Sequence, residues 1–243
     1  MKIITICNYK PNKNIEYLCA WWMDNIIKYS DLDVEIWYEN NLNINTVKEY
    51  KHQRIKLVKK ERINTNNILK NHYIDNKASH NIGFKLYNLC KEADPFIFID
   101  IDAIVLKDIS PLLLASRDKP AIMINHQKLE GHTAHIKEDF LNSGVQIIGD
   151  ASILDFNKII KYQNQRKNYI VPGYDQALLF NYFKTINYDY THENIGHEWN
   201  NTPISDIPKR AIGINHYWFE FKPWIINCPL WVQYIKKWTA EHV

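Results

Sequence analysis

A continuous apolar run, Phe96–Ile99, is the feature that most constrains the fold of this 243-residue chain. Pro95 precedes the run and Asp100 follows it. Four apolar residues without polar alternation are typical of a strand that is buried on both faces, as in sheets covered by helices on both sides. The run therefore predicts an α/β protein with a mostly parallel sheet.

The remaining sequence alternates predicted strands with predicted helices. Apolar residues at helical spacing predict a helix over Asn14–Tyr29 with Asn14 as its N-cap, and another at about 229–238. The other predicted elements are strands at Lys2–Cys7, Val34–Tyr38 and Ile55–Val58, a polar connection between Arg62 and Ser79, and a helix at Ile82–Cys90. Because no linker or repeat divides the chain, we expect one Rossmann-like domain over residues 1–243.

Charge and composition narrow the class of protein. Thirty Lys and Arg against 27 Asp and Glu give a net charge of +3, too balanced for a chain whose main partner is a nucleic-acid backbone. We expect no transmembrane segment and, from the absence of a signal-peptide pattern, a cytoplasmic location. The excess of Asn, Ile, Lys and Tyr suggests an AT-rich genome, such as that of a low-GC bacterium or a large DNA virus, in which case the location is the host cytoplasm.

Two acids follow the apolar strand directly. If extended geometry continues through Asp102, the carboxylates of Asp100 and Asp102 point to the same side and converge on one cation. Oxygen ligands of this kind suit magnesium or manganese. The alternative is that both acids cap a loop. The position after a buried strand favours the metal site.

A second group of candidates lies near the end of the chain. His216 offers a neutral imidazole that can complete a metal shell, and Lys222 offers a mobile positive charge for phosphate oxygens. Trp218 lies between them, and its ring can stack on a sugar face. A single histidine is more often structural, so His216 gains weight only beside the two acids.

Two short polar segments complete the candidates. Asn142 and Ser143 precede a predicted strand and carry short donors and acceptors suited to sugar hydroxyls, although a plain turn explains them as well. Asp175 and Gln176 open a predicted helix. N-capping explains the Asp but not the adjacent Gln.

In this order, the pieces resemble glycosyltransferase family eight, a retaining family of GT-A fold that includes glycogenin and bacterial lipooligosaccharide galactosyltransferases. The resemblance spans roughly residues 1–224. The segments that carry it are Phe98–Leu106 with Asp108-Ile109, Asn142–Val145, Asp175-Gln176, His216 with Lys222-Pro223-Trp224, and Lys85 in the helix before the acids.

The resemblance implies transfer of a hexose, with retention, from a nucleotide sugar, usually a UDP-sugar, to a hydroxyl of a glycan, protein or lipid-linked acceptor. It implies that Asp100, Asp102 and His216 hold manganese, with magnesium as the alternative. The implied nucleotide-binding residues are Cys7, Asn8, Tyr9, Lys85, Ile101 and Lys222. The implied sugar- and acceptor-binding residues are Asn142, Ser143, Asp175, Gln176 and Trp218, with Gln176 and Asp175 as the catalytic pair and Gln176 near the anomeric carbon.

The sequence also departs from the family pattern. Phe219 stands where the family has a glycine near the phosphates, and Pro172 and Tyr174 replace the usual acid and glycine before Asp175. These departures leave open a non-catalytic carbohydrate- or nucleotide-sugar-binding protein of GT-A fold, or a nucleotide-sugar hydrolase. The C-terminal helix has two interpretations as well: we expect it to pack on the sheet, and the alternative is weak contact with a membrane surface.

Overall fold

A computed structural model describes residues 1–62, 76–125, 141–162, 175–203, 209–217 and 221–242. In these ranges the strands are β1 (Lys2–Ile6), β2 (Val34–Tyr38), β3 (Ile55–Lys59), β4 (Phe96–Ile99), β5 (Ala103–Val105), β6 (Ala121–Met123), β7 (Val145–Ile148) and β8 (Ile214–His216). The helices are α1 (Lys13–Tyr29), α2 (Asn45–Glu49), α3 (Asn76–Cys90), α4 (Ser110–Ala115), α5 (Phe156–Ile159), α6 (Asp175–Thr185) and α7 (Pro229–His242).

The main sheet has six strands in the order β3-β2-β1-β4-β7-β6. The first four run parallel, whereas β7 is antiparallel to both of its neighbours. The strand order reverses between β1 and β4, which are neighbours in space but not in sequence. In open α/β sheets, ligands bind outside the carboxyl ends of the strands at such a reversal. The topology confirms the predicted α/β class and places a candidate site beyond Ile6 and Ile99.

The strand β4 is buried on both faces, as its sequence predicts. Ile97 and Ile99 pack into a cluster that includes the apolar side of α1, while Phe96 and Phe98 pack into a second cluster with α3 and α6. All four side chains are fully buried. Burying a large apolar side chain is worth about 1.5–3 kcal/mol, so β4 is a stable base for the residues that follow it.

Two predicted helix boundaries are wrong. The N-cap of α1 is Asn12 rather than Asn14, because Asn12 has extended backbone angles and its Oδ1 accepts a hydrogen bond from the N–H of Ile15. The helix α3 begins at Asn76, six residues before the predicted start at Ile82.

The C-terminal helix forms and is longer than predicted. It ends at His242 rather than near 238, and Trp231 and Tyr234 pack on Trp21 of α1, in the hydrophobic cluster that also contains side chains of the sheet. Among the described helices, none combines the length and the apolar character that crossing a bilayer requires.

Candidate functional site

Asp100, Ile101 and Asp102 form a tight turn between β4 and β5. The N–H of Asp100 donates to the carbonyl of Gly144 at 2.8 Å, and the N–H of Ala103 donates back to the carbonyl of Asp100 at 2.8 Å. The expectation of extended backbone through Asp102 is therefore wrong. The carboxylates still converge, because the turn folds both of them toward the same side.

His216 reaches the two acids through a small second sheet. The strands β5 and β8 pair antiparallel, with Ala103 opposite His216, and the N–H of Tyr217 donates to the carbonyl of Asp102. His216 Nε2 lies 3.3 Å from Asp102 Oδ1 and 3.8 Å from Asp100 Oδ2. One ligand atom from each of Asp100, Asp102 and His216, which we call the metal trio, lies within 4.8 Å of the others. Two carboxylates and one imidazole fit a manganese or magnesium ion whose remaining positions stay open.

The two acids differ in their electrostatic surroundings. Desolvation raises the pKa of Asp100 to about 6; Lys85 opposes this rise and the charge of Asp102 adds to it. Burial alone would also raise the pKa of Asp102, but the Lys222 ammonium and His216 lower it well below its usual range. Lys222 Nζ donates directly to Asp102 Oδ2. The neighbours of Asp102 thus keep its carboxylate ionised, whereas the carboxylate of Asp100 takes up a proton more easily.

Lys85 connects this turn to the start of α6. Its ammonium lies 2.9 Å from Asp175 Oδ2 and 3.5 Å from Asp100 Oδ1, and it donates to the carbonyl of Ser143 at 2.8 Å. Burial disfavours the charged lysine, but the two carboxylates raise its pKa overall. Lys85 and the hydroxyl of Ser143 in turn hold the pKa of Asp175 below its usual value, against the effect of burial. The structure brings four segments that are distant in sequence to one point.

A cavity of about 450 Å³ opens beside this cluster at the carboxyl ends of β1 and β4. Residues that line it include Ile6, Asn8, Tyr9, Asn81, Lys85 and Asp100. Asn8 Oδ1 accepts from the N–H of Glu39, and the buried Asn8 Nδ2 has no hydrogen-bond partner among the described residues. A buried donor without a partner calls for an explanation, and Asn8 lies at the wall of this cavity.

The other predicted site residues occupy three kinds of position. Cys7 and Ile101 are buried in the hydrophobic core. Asn142 and Ser143 are buried beside the metal trio and Lys85 respectively, and Gln176 is half-buried in the first turn of α6. Trp218, Phe219, Pro172 and Tyr174 lie outside the described residues.

Sequence reasoning missed two residues. Asn81 lines the cavity one helical turn before Lys85, and that spacing was a usable signal. Asn200, which follows a short 3-10 helix at His197–Trp199, contacts both His216 and Asn142. Nothing in the sequence distinguishes Asn200 from the many other asparagines of the chain.

Scans of the sequence against family models and against curated proteins find no match. The structure, by contrast, matches solved glycosyltransferases along nearly its whole length. It superimposes on an active-site mutant of LgtC with a TM-score of 0.58 and 15% identity, covering 98% of this chain and 96% of LgtC. The chain has the GT-A fold.

Other GT-A structures agree with this assignment. The galactosyltransferase LgtC in complex with donor and acceptor sugar analogues gives a TM-score of 0.56 at 15% identity, covering 97% of this chain and 94% of LgtC. Mouse xyloside xylosyltransferase 1 gives 0.51 at 8% identity, covering 78% of this chain and 83% of that one. The resemblance to family-eight glycosyltransferases is thus confirmed at the level of the fold.

Proposed function

We propose that this protein is a retaining glycosyltransferase that moves a hexose from a UDP-sugar to a hydroxyl of a glycan, protein or lipid-linked acceptor. One observation carries the proposal: Asp100, Asp102 and His216 converge beside an open cavity, at the carboxyl ends of β1 and β4, in a GT-A fold. We assign separate roles to the metal trio, the nucleotide residues and the sugar residues.

The metal trio holds a divalent ion, manganese or magnesium. Such an ion, when bound, neutralises the negative charge that develops on the leaving diphosphate. Lys222 provides a second positive charge there, because its ammonium already lies against Asp102. Since the trio is fixed by β4, β5 and β8, its geometry needs little rearrangement to bind the ion.

The cavity binds the nucleotide. Asn8 Nδ2, which has no partner among the described residues, would donate to a base carbonyl once the side chain turns into the cavity, and the partly exposed Tyr9 offers its ring for stacking. Cys7 and Ile101 contribute through backbone groups only, because their side chains are packed in the core. Lys85 provides positive charge at the boundary between the cavity and the metal trio.

The sugar lies between the metal trio and the start of α6. Asn142, Ser143, Gln176 and Trp218 are proposed to bind its hydroxyls and face. Asp175 stays ionised because Lys85 and Ser143 lower its pKa, so it accepts hydrogen bonds and stabilises positive charge on the anomeric carbon rather than donating a proton. The bond from the anomeric carbon to the diphosphate breaks, the acceptor oxygen bonds the same face, and its proton passes to a diphosphate oxygen. This sequence of steps gives retention.

The test is release of free nucleotide from a panel of nucleotide sugars, with manganese or with a chelator, in the presence and absence of candidate acceptors. We expect manganese-dependent turnover of one donor that Asp102→Asn abolishes. The matched control is Asp150→Asn, since Asp150 is an exposed cap of a 3-10 helix and Asn caps equally well. Full turnover by Asp102→Asn would refute the metal assignment.

Two further outcomes identify the alternatives. Turnover that is independent of any acceptor and yields free hexose would indicate a nucleotide-sugar hydrolase. No metal-dependent nucleotide binding by thermal shift would indicate a non-catalytic GT-A protein.

A further inference from the structure

We propose that Asn200 is a positioning residue for the metal site, and that its side-chain amide fixes the ring orientation and the tautomer of His216. The inference rests on the metal site of the proposed function but not on sugar transfer. In this arrangement His216 Nε2 is the ring nitrogen that faces the point where Asp100 and Asp102 converge and is available to a cation there.

Asn200 is fully buried, and its side-chain amide makes three hydrogen-bond contacts with the described residues. Its Nδ2 lies 2.8 Å from the carbonyl oxygen of Ile124 and 3.0 Å from Asn142 Oδ1. Its Oδ1 lies 3.0 Å from His216 Nδ1. The side chain therefore spans the distance between the segment that carries Asn142 and the strand that carries His216.

Two backbone groups determine which way these amides point. The N–H of Gly144 can only donate, and it lies 2.7 Å from the Asn142 side chain, so the atom it meets is the acceptor Oδ1. The carbonyl of Ile124 can only accept. Asn200 Nδ2 thus faces two acceptors and uses both of its protons, and this leaves Asn200 Oδ1 turned toward His216.

The orientation of Asn200 determines the tautomer of His216. An amide oxygen accepts only, so His216 Nδ1 carries the proton that it donates to Asn200. The other ring nitrogen, Nε2, faces the carboxylates of Asp102 and Asp100 and donates to Asp102 while it carries a proton; a cation between them would displace that proton and take the Nε2 lone pair. A metal ligand needs that lone pair, and the partner of the other ring nitrogen sets it.

Gly144 restricts the ring from one side. A Cβ at this position would lie 2.1 Å from His216 Cε1 and 2.6 Å from Nδ1. The imidazole therefore packs directly on the backbone of residue 144, whose N–H also anchors Asn142. One backbone segment thus sets both the ring position and the amide network that orients it.

The test measures Mn²⁺ affinity of the full chain by calorimetry, without nucleotide or sugar, for four variants and the wild type. Asn200→Leu keeps the volume but removes the acceptor, and we expect its Mn²⁺ affinity to fall by about 10- to 100-fold. Asn200→Asp keeps an oxygen facing His216 Nδ1, so it should recover most of that affinity even where its thermal stability is reduced. Asn201→Leu is the matched control: Asn201 is equally buried, and its side-chain amide donates to Asn215. It should lose stability but keep its Mn²⁺ affinity within about threefold, which would show that a loss of stability alone does not weaken Mn²⁺ binding.

A second readout is the protonation of His216 Nδ1 in the metal-free protein, from long-range ¹H–¹⁵N spectra. We expect Nδ1 to carry a proton in the wild type and to lose it in Asn200→Leu, where Asp102 still holds a proton on Nε2. A wild-type His216 without a proton on Nδ1, or wild-type Mn²⁺ affinity in Asn200→Leu, would overturn the inference.

The fourth variant, Asp102→Asn, separates this inference from the proposed function. If Asp102→Asn loses Mn²⁺ and Asn200→Leu does not, only the role of Asn200 fails. If the wild type does not bind Mn²⁺, the metal site of the proposed function fails. If Asn200→Leu weakens Mn²⁺ binding but no donor turns over, the inference stands and the transferase proposal fails.

Discussion

At the scale of single residues, the two acids of the turn should affect stability in opposite directions. The folded state raises the pKa of Asp100 to about 6 and lowers that of Asp102 below its usual range. In chelator at pH 7.5, we therefore expect Asp100→Asn to raise the melting temperature and Asp102→Asn to lower it, because the charged form is disfavoured at 100 and favoured at 102. Thermal unfolding followed by circular dichroism measures both changes.

The pH dependence follows from the same two directions. For Asp100→Asn, the gain in melting temperature should be complete above about pH 6 and should shrink between pH 6 and 4, as the wild-type carboxyl takes up a proton. It should vanish below the unfolded pKa of about 3.9. For Asp102→Asn, the loss in melting temperature should stay constant from pH 7.5 down to about 4 and shrink only below that, because the folded state lowers the pKa of Asp102. Equal shifts of the same sign for the two variants would contradict this electrostatic description.

At the scale of elements, the contact between α7 and α1 rests on Trp231. Its side chain is 3% exposed, and its ring lies 5.7 Å from that of Trp21 and 5.8 Å from that of Trp224, centroid to centroid. We expect Trp231→Ala to reduce the free energy of unfolding by about 3–5 kcal/mol, because it removes apolar contacts and leaves a cavity. Urea unfolding measures the loss.

Val232 provides the comparison on the same helix. It is 41% exposed, so Val232→Ala should change stability by less than about 0.5 kcal/mol. A Trp231→Ala variant of unchanged stability that no longer binds anionic vesicles would instead favour the membrane-surface interpretation of α7.

At the scale of the whole molecule, metal and nucleotide should stabilise the fold together. A ligand that binds only the native state at 100 times its Kd adds about 2.7 kcal/mol. Since the metal trio adjoins the cavity through Asp100, we expect UDP to raise the melting temperature strongly with manganese and little with a chelator. If residues 1–243 form a single domain, as the sequence predicts, thermal unfolding should show one cooperative transition in each condition. An equal UDP shift with and without manganese would separate the cavity from the metal site.

The fold was largely predictable because its signals are local. The apolar run of β4 indicates burial on both faces whatever surrounds it, and the helical spacing in α1 indicates an amphipathic helix. The types of the site residues were also accessible, since a metal needs carboxylates and an imidazole. Cap positions such as Asn12 were not, because competing asparagines nearby have equal propensity.

What the amino-acid sequence alone determined, then, is the α/β class, the buried strand and the identity of Asp100, Asp102 and His216 as candidates. Only the tertiary structure decided that the acids converge through a tight turn, because the N–H of Asp100, where the turn begins, is held by the carbonyl of Gly144 in a distant segment. It also decided that β8 pairs with β5 in the register that places His216 opposite Ala103, and that Asn200 turns its amide oxygen to that histidine. Such pairings depend on contacts between segments far apart in the chain, and the local pattern of residues carries no information about their register.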